Sequence, residues 1–314
     1  MSLLLPKQVC KHNSHLSKGI FWGQHKTHVF KSWKSICAPW EEGGFQVKEL
    51  TDWNRTVLLK WLWTLDKNAG AIWTSWVSKY FLTSCSVWEL EAKAHYPESL
   101  RGLLRVRTEC VEQLGSIQAV KLLLQHCTVR GCFSITKAYD NIRHKYPVKP
   151  VFRAIHRGTM VPRHRIITML AVEGRLATID KLTHRGMYLV NRCCLCKQAE
   201  ESTAHLFFKC PFTSTLLGCI KAWTRMNTGT IQLQDLLLWT HKRARRKHWR
   251  NKWISCSLGC LVSEIWHERN LRIFEGRERT HQVLLSNIQF TVSTLLLHVV
   301  SEQVYIDVIE ALNN

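Results

Sequence analysis

Acidic residues are scarce in this 314-residue chain, and they are placed badly for metal-ion catalysis. Its six aspartates (Asp52, Asp66, Asp140, Asp180, Asp235, Asp307) include no adjacent pair. A two-metal transfer site needs paired carboxylates, so that chemistry is not expected. A nucleophile elbow, a P-loop and an H-E-x-x-H zinc motif are also missing; His267-Glu268 has no second His at the required spacing. No run reaches 18 uninterrupted apolar residues, which argues against a transmembrane helix. The most apolar stretch, 281–300, is broken by Asn287, Gln289 and His298. Met1–Pro6 offers only three consecutive Leu, too few for a secretory h-region. The thirteen Cys are odd in number and mostly scattered, which points to a reducing compartment rather than a secreted disulfide framework. Trp is absent between positions 89 and 222, and all fourteen lie in Trp22–Trp88 or Trp223–Trp266.

What is present is positive charge. Forty-four Lys and Arg against 23 Asp and Glu leave a net charge of +21. That balance suits a polyanionic partner, nucleic acid first and a membrane surface second. The first 40 residues hold six Lys and no acid, and His241–Trp253 (HKRARRKHWRNKW) holds seven Lys or Arg and no acid. Such a run reads as a solvated helix face, a nuclear-import signal or a nucleic-acid contact through Lys242, Arg243, Arg245, Arg246, Lys247 and Arg250. Most Trp residues fall at helical spacing and read as core. Trp249 and Trp253, inside the basic run, are the best candidates for base stacking.

Helical periodicity dominates. Leu50, Trp53, Val57, Leu58, Trp61 and Leu65 form one apolar face, with Thr51 or Asp52 as the cap. Ile72, Trp73, Trp76, Val77, Tyr80 and Phe81 repeat the pattern, and Pro97 opens a helix through Leu100, Leu103, Leu104 and Val111. Gly43-Gly44 marks a tight turn. Thr178 caps a short helix that Gly186 stops. Further helices are expected over 213–226, 249–274 and 282–312. The fold class is therefore mainly α, with a helical region over 1–145, a zinc module over 146–226 and a basic helical region over 227–314.

One spacing carries the chemistry: Cys193-x2-Cys196-x8-His205-x4-Cys210. Three thiolates and one imidazole fill a tetrahedral Zn2+ shell and leave no open position, as a structural site requires. Two intervening residues let Cys193 and Cys196 face one metal, and Cys194 is a spare thiol. His205 and Cys210 should bracket a short helix ended by Pro211, with Leu206, Phe207 and Phe208 packing the module onto its neighbours.

The flanks of this cluster extend the signal. GRLATIDKLTHRGM (Gly174–Met187) precedes it, Glu201-Ser202 lies inside it, and HLFFKCPF (His205–Phe212) closes it. Upstream stand FWG (Phe21–Gly23) and WKSICAPWEEGGFQVKELTDWNRTVLLKWLW (Trp33–Trp63); downstream stands IWHERNLRIFEG (Ile265–Gly276). Together these resemble the region after the polymerase palm in plant LINE-type (non-LTR) retrotransposon reverse transcriptases, including its zinc-binding domain. The resemblance runs over roughly residues 17–276 and implies a thumb- or linker-like helical region before the zinc module. It departs at Phe45-Gln46, where the family pattern continues Leu-Gly, and near Phe152 and His156, where the pattern has Trp. It also implies that Arg175, Lys181 and Arg185 contact phosphate, although Arg175 has Glu173 and Asp180 as alternative partners. The polymerase Asp-Asp motif, the endonuclease and a ribonuclease H domain are not found in this sequence.

The expected function is that of a non-catalytic, zinc-stabilised, basic nucleic-acid-binding protein acting in the nucleus or also the cytoplasm. RNA and DNA stay open as partners, and no small-molecule substrate or membrane is implied. Two other readings remain open. One is a regulatory protein, for example developmental or reproductive, that binds protein partners through the zinc module and Trp-rich helices. The other is a decayed element fragment.

Overall fold

The computed structural model describes residues 5–22, 31–69, 72–157, 159–229, 233–244 and 249–299. Its Cα trace divides into two units. The first takes in Met1–Val29, Trp33–Ala38 and Gln46–Tyr146; the second takes in Phe30–Ser32, Pro39–Phe45 and Pro147–Asn314. No helix among the described residues is long and apolar enough to cross a membrane.

The first unit contains α1 (Lys7–Trp22), α2 (Trp33–Cys37), α3 (Leu50–Asp66), α4 (Ile72–Phe81), α5 (Glu98–Leu114) and α6 (Ile117–His126), then a minimal hairpin and α7 (Ile135–Ile142). The hairpin pairs β1 (Thr128–Val129) antiparallel with β2 (Cys132–Phe133), in register Thr128 to Phe133. Helix α3 is the hub, packed by α1, α4, α5 and α7. Leu59, Leu62, Leu100, Leu103, Leu104, Val120 and Leu124 are fully buried among them.

Two details of this unit differ from the sequence reading. The α3 cap is neither Thr51 nor Asp52 but Glu49, whose carboxylate accepts the Asp52 N–H at 2.8 Å. The Tyr139 hydroxyl on α7 accepts the Glu49 N–H at 2.9 Å and fixes that cap. The buried face of α3 is also wider than the periodicity suggests, because neighbours cover it from several directions. Leu59 and Leu62 are inside, whereas Trp53 and Trp61 are half-buried. Helix α4 shows the opposite. Thr74 and Val77 are buried against α3, but Ile72, Trp76 and Tyr80 are exposed although their spacing reads as core. Trp61 and Trp73 stack at 4.4 Å, and the Trp88 indole donates to Asp66 at 2.6 Å, so these rings serve packing.

The second unit contains α8 (Pro150–Arg157), α9 (Pro162–Val172), α10 (Ile179–His184), α11 (Pro211–Trp223), α12 (Leu233–Ala244), α13 (Trp249–Asn270) and α14 (His281–Val299). Two π-helical turns, His205–Lys209 and Leu271–Glu275, complete it. Residues 253–263 of α13 are buried without interruption. A helix covered on all sides must lie at a centre, and α9, α12 and α14 pack around it. The division expected at residue 226 therefore does not separate two cores, since α8, α9, α11, α12, α13 and α14 share one. Residues 300–312 of the expected last helix lie outside the described residues.

Residues from early in the chain complete this unit. Gly43 turns with φ +83°, its N–H bonded to the Trp40 carbonyl at 2.9 Å. A Cβ there would stand 2.7 Å from the Phe152 ring, so only glycine fits. The Lys31 ammonium donates to the Gly43 carbonyl and, at 2.8 Å, to Glu173. His156 stacks on Trp40 with ring centroids 4.8 Å apart.

Candidate metal centre

The two halves of the metal site come from two local devices. The first is the knuckle at Cys193–Cys196. Lys197 adopts φ +58°, and its N–H returns to the Cys193 carbonyl at 2.8 Å, while the Cys193 N–H donates to Ala199 O at 2.8 Å. This turn points both thiols the same way. The second is the π-helical turn, in which the Cys210 N–H reaches back five residues to the His205 carbonyl at 2.8 Å. The wide turn sets His205 and Cys210 on one side of the chain, a feature that π-turns often supply at functional sites. Ser202 caps its start by accepting the His205 N–H at 3.1 Å. Pro211 ends this turn as the sequence suggests, with Cys210 before it extended at ψ 126°. It sits in the first turn of α11, where the missing N–H costs nothing.

The four side chains meet. Their ligand atoms all lie within 4.8 Å of one another, and among the described residues these three Cys and one His form a group that could hold a metal ion. A tetrahedral zinc shell has edges of about 3.8 Å between sulfurs and about 3.5 Å between sulfur and nitrogen. Here Cys193 Sγ and Cys210 Sγ are 4.0 Å apart, and Cys196 Sγ and His205 Nε2 are 3.3 Å apart. The donor set and its dimensions thus fit a tetrahedral metal with no vacant position. Cys193 and Cys210 are fully buried, while Cys196 and His205 are partly accessible. The Cys210 hydrogen bond and burial raise the Cys193 thiol, while Cys210 is held down by that same bond and by the N–H groups of Thr213 and Phe212. Leu206 and Phe207 are buried in the core behind the site, and Phe208 packs partly against it.

A buried ionic frame holds these devices, and the sequence reading did not assign it. Glu201, fully buried, accepts the Ile179 N–H at 2.9 Å and so caps α10 from 22 residues away. Thr178 takes the N-cap position as expected, but its hydroxyl turns to Asp180 and makes no cap bond. Arg269 at the end of α13 pairs with Glu201 at 2.8 Å. One turn on, Arg272 donates to the carbonyls of Cys194 and Leu195 at 3.2 and 3.3 Å, gripping the knuckle backbone. Arg272 is itself held by Glu268 at 2.7 Å, and Glu268 also receives the Arg279 guanidinium at 2.7 Å. Burial would raise the Glu268 carboxyl, but hydrogen bonds from Arg279 and Arg272 outweigh it and hold the group below its ordinary range. The spare thiol Cys194 donates weakly to the Arg269 carbonyl at 3.7 Å, and burial pushes it up to about 12. The available signal was the segment IWHERNLRIFEG itself: a Glu-Arg pair and an Arg one turn on, inside an otherwise buried helix.

The proposed nucleic-acid contacts are placed unevenly. Arg175 is exposed but pairs with Glu173 at 3.3 Å. Lys181 is half-buried and donates to Thr203 at 3.2 Å. Burial lowers its ammonium, Asp180 opposes that, and the nearby charges of Arg185 and Arg175 lower it further, so these three cations form one local group. Arg185 is exposed at the end of α10, and Lys242 is exposed on α12. Arg243 lies in α12. Arg245, Arg246 and Lys247 lie outside the described residues. Trp249 is not a free stacking surface, since it stacks on buried Trp253 at 5.8 Å. Arg250 donates to the Arg225 carbonyl at 2.7 Å.

Comparison with known proteins finds a likeness over this part of the chain. Residues 133–216 match the model of a family described as zinc-binding in reverse transcriptase. An Arabidopsis thaliana protein named as a ribonuclease H protein is 30% identical over 84 residues, 26% of this chain and 13% of that protein. The chain therefore corresponds to a small part of that relative. No solved structure matches. Residues 133–216, with the four clustered ligands inside them, are thus similar to a zinc-binding region of reverse transcriptase.

Proposed function

We propose that this chain is a non-catalytic nucleic-acid-binding protein whose binding region is ordered by one structural Zn2+. The observation that carries the reading is the closed Cys193, Cys196, His205, Cys210 set, with half-buried Lys181 bonded to Thr203 beside it and exposed Arg185 just past α10. Four protein ligands leave no position for a substrate, and such a site contributes folding energy rather than chemistry. The net charge of +21 supplies the attraction for phosphate. The sequence lacks the adjacent aspartates that nucleotide transfer needs, which supports the non-catalytic part. The basic run around α12 and α13 supports nuclear residence.

The test is fluorescence anisotropy with labelled single-stranded RNA and duplex DNA over a salt series, with zinc content measured. Wild type should bind, with affinity falling steeply as salt rises. Cys196→Ser should lose zinc and binding together. Affinity that stays flat between low and high salt would sink the reading.

A second reading, a protein-interaction surface, is favoured by the exposed Ile72, Trp76 and Tyr80 of α4. It is also favoured by the absence of any charged residue from His281–Val299. Neutralising Lys242, Arg243, Arg245, Arg246 and Lys247 together separates the two. Nucleic-acid binding should weaken if the first reading holds and stay unchanged if the second does.

A further inference from the structure

Between α10 and the metal knuckle runs Met187-Tyr188-Leu189-Val190, four apolar residues in succession. Apolar runs normally turn inward, and this one does not. Tyr188 is 104% exposed and Val190 87%, while Met187 and Leu189 are each 43% exposed. The alternation is that of an extended chain, whose successive side chains point to opposite sides. Tyr188 and Val190 share the outward side, and both faces of the Tyr188 ring are open to solvent. The backbone around them is pinned. Gly186 turns with φ +86°, the Met187 N–H returns to Leu182 O at 3.2 Å, and the Arg192 N–H bonds Val190 O at 3.0 Å. The segment carrying the ring is therefore bonded at each end, to α10 on one side and ahead of the metal knuckle on the other.

Charge indicates what would cover it. Over Lys181–Ala199 the chain has four Lys or Arg and no acid. Three of those cations are committed: Lys181 donates to Thr203 at 3.2 Å, Arg192 donates to the Lys197 carbonyl at 2.6 Å, and Lys197 pairs with Glu278 at 2.9 Å. Arg185, three residues before Tyr188, is exposed. An open aromatic face three residues from an exposed guanidinium suits single-stranded nucleic acid, which offers a base to one group and a phosphate to the other. Duplex offers such a ring only its sugar-phosphate edge, because its bases are already stacked.

We propose that Tyr188 is a stacking platform for an unpaired base of single-stranded nucleic acid, with Arg185 holding the neighbouring phosphate. This rests on the nucleic-acid reading above and adds to it a strand preference and a named contact. Stacking tolerates any base, so little sequence preference follows.

The experiment uses the full zinc-loaded chain and compares wild type with Tyr188→Leu, Tyr188→Trp and Arg185→Ala. Binding is read by anisotropy on single-stranded RNA, single-stranded DNA and duplex DNA, with 2-aminopurine in the single strands to report stacking. Tyr188 is fully exposed, so zinc content and thermal stability should not change in its variants. Tyr188→Leu keeps an apolar side chain but has no ring. It should bind single strands about tenfold more weakly, lose the 2-aminopurine quench, and bind duplex as before. Tyr188→Trp should retain both binding and quench. Arg185→Ala should lower the salt slope by about one phosphate contact. If wild type binds and Tyr188→Leu matches it on single strands, stacking is overturned and the segment becomes an apolar strand for a protein partner, while the nucleic-acid reading survives. If zinc-loaded wild type binds none of the three probes, both readings fall.

Discussion

His156 is buried, both ring nitrogens lack a hydrogen-bond partner among the described residues, and its ring lies flat against Trp40. Burial, and then the charges of Arg165 and Lys31, lower its pKa to about 4. The folded state therefore takes up the proton less readily than the unfolded chain, whose imidazole titrates near 6.5. The stability contributed by the neutral ring is complete above pH 6.5 and is lost as pH falls toward 4, by an amount on the order of 3 kcal/mol. His156→Phe keeps the stack and removes the titration. Urea denaturation from pH 7 to 4 should show wild type losing more stability than this variant, and equal losses would refute the assignment. His156 was noticed in the sequence only as a position where the related pattern has Trp; nothing there revealed that its partner is Trp40. The four metal-ligand positions were legible because a knuckle and a wide turn are local, and local spacing is written in the chain. Glu201 and Arg269 were not legible as a pair, since 68 residues separate them and only the tertiary fold joins them.

At the scale of elements, periodicity disclosed the helices better than their faces. The apolar residues of α3 and α4 mark helices correctly, yet α4 turns Ile72, Trp76 and Tyr80 outward. Aromatic residues occur on more than one side of that helix, and only the positions of its neighbours decide which side is covered. The end of α13 and the π-helical turn after it matter most for the metal site, because Arg269 holds the α10 cap and Arg272 the knuckle. Glu201→Ala leaves Arg269 buried without its anion and removes the α10 cap, so denaturant unfolding should show a loss of about 3–5 kcal/mol. Arg272→Ala frees the Cys194 and Leu195 carbonyls while sparing all four ligands. Competition with a chromogenic chelator should then reveal zinc affinity about 10- to 100-fold weaker than wild type. An unchanged affinity would mean that the knuckle holds its shape without this grip.

Across the whole molecule, the two units keep separate sets of buried residues, and the metal ligands belong wholly to the second. Chelation should accordingly act on one unit. Calorimetry with EDTA should show one transition moving to lower temperature while another stays in place, and a uniform shift of all unfolding would contradict that. The interleaving of the second unit has a consequence for how the protein is made. Lys31 finds Glu173 only across a sequence separation of 142 residues. At ordinary elongation speeds of about 5–20 residues per second, the lysine is synthesised roughly 7–30 s before its carboxylate exists. During that interval the early segment 39–45 has no Phe152 ring to close against. A fragment beginning at Pro147 would meet the mirror-image difficulty, with Glu173 folded inward and no ammonium to receive it. The second unit is therefore finished by pieces that leave the ribosome first, and dissecting this protein at the obvious sequence boundary would cut through one of its own folding partners.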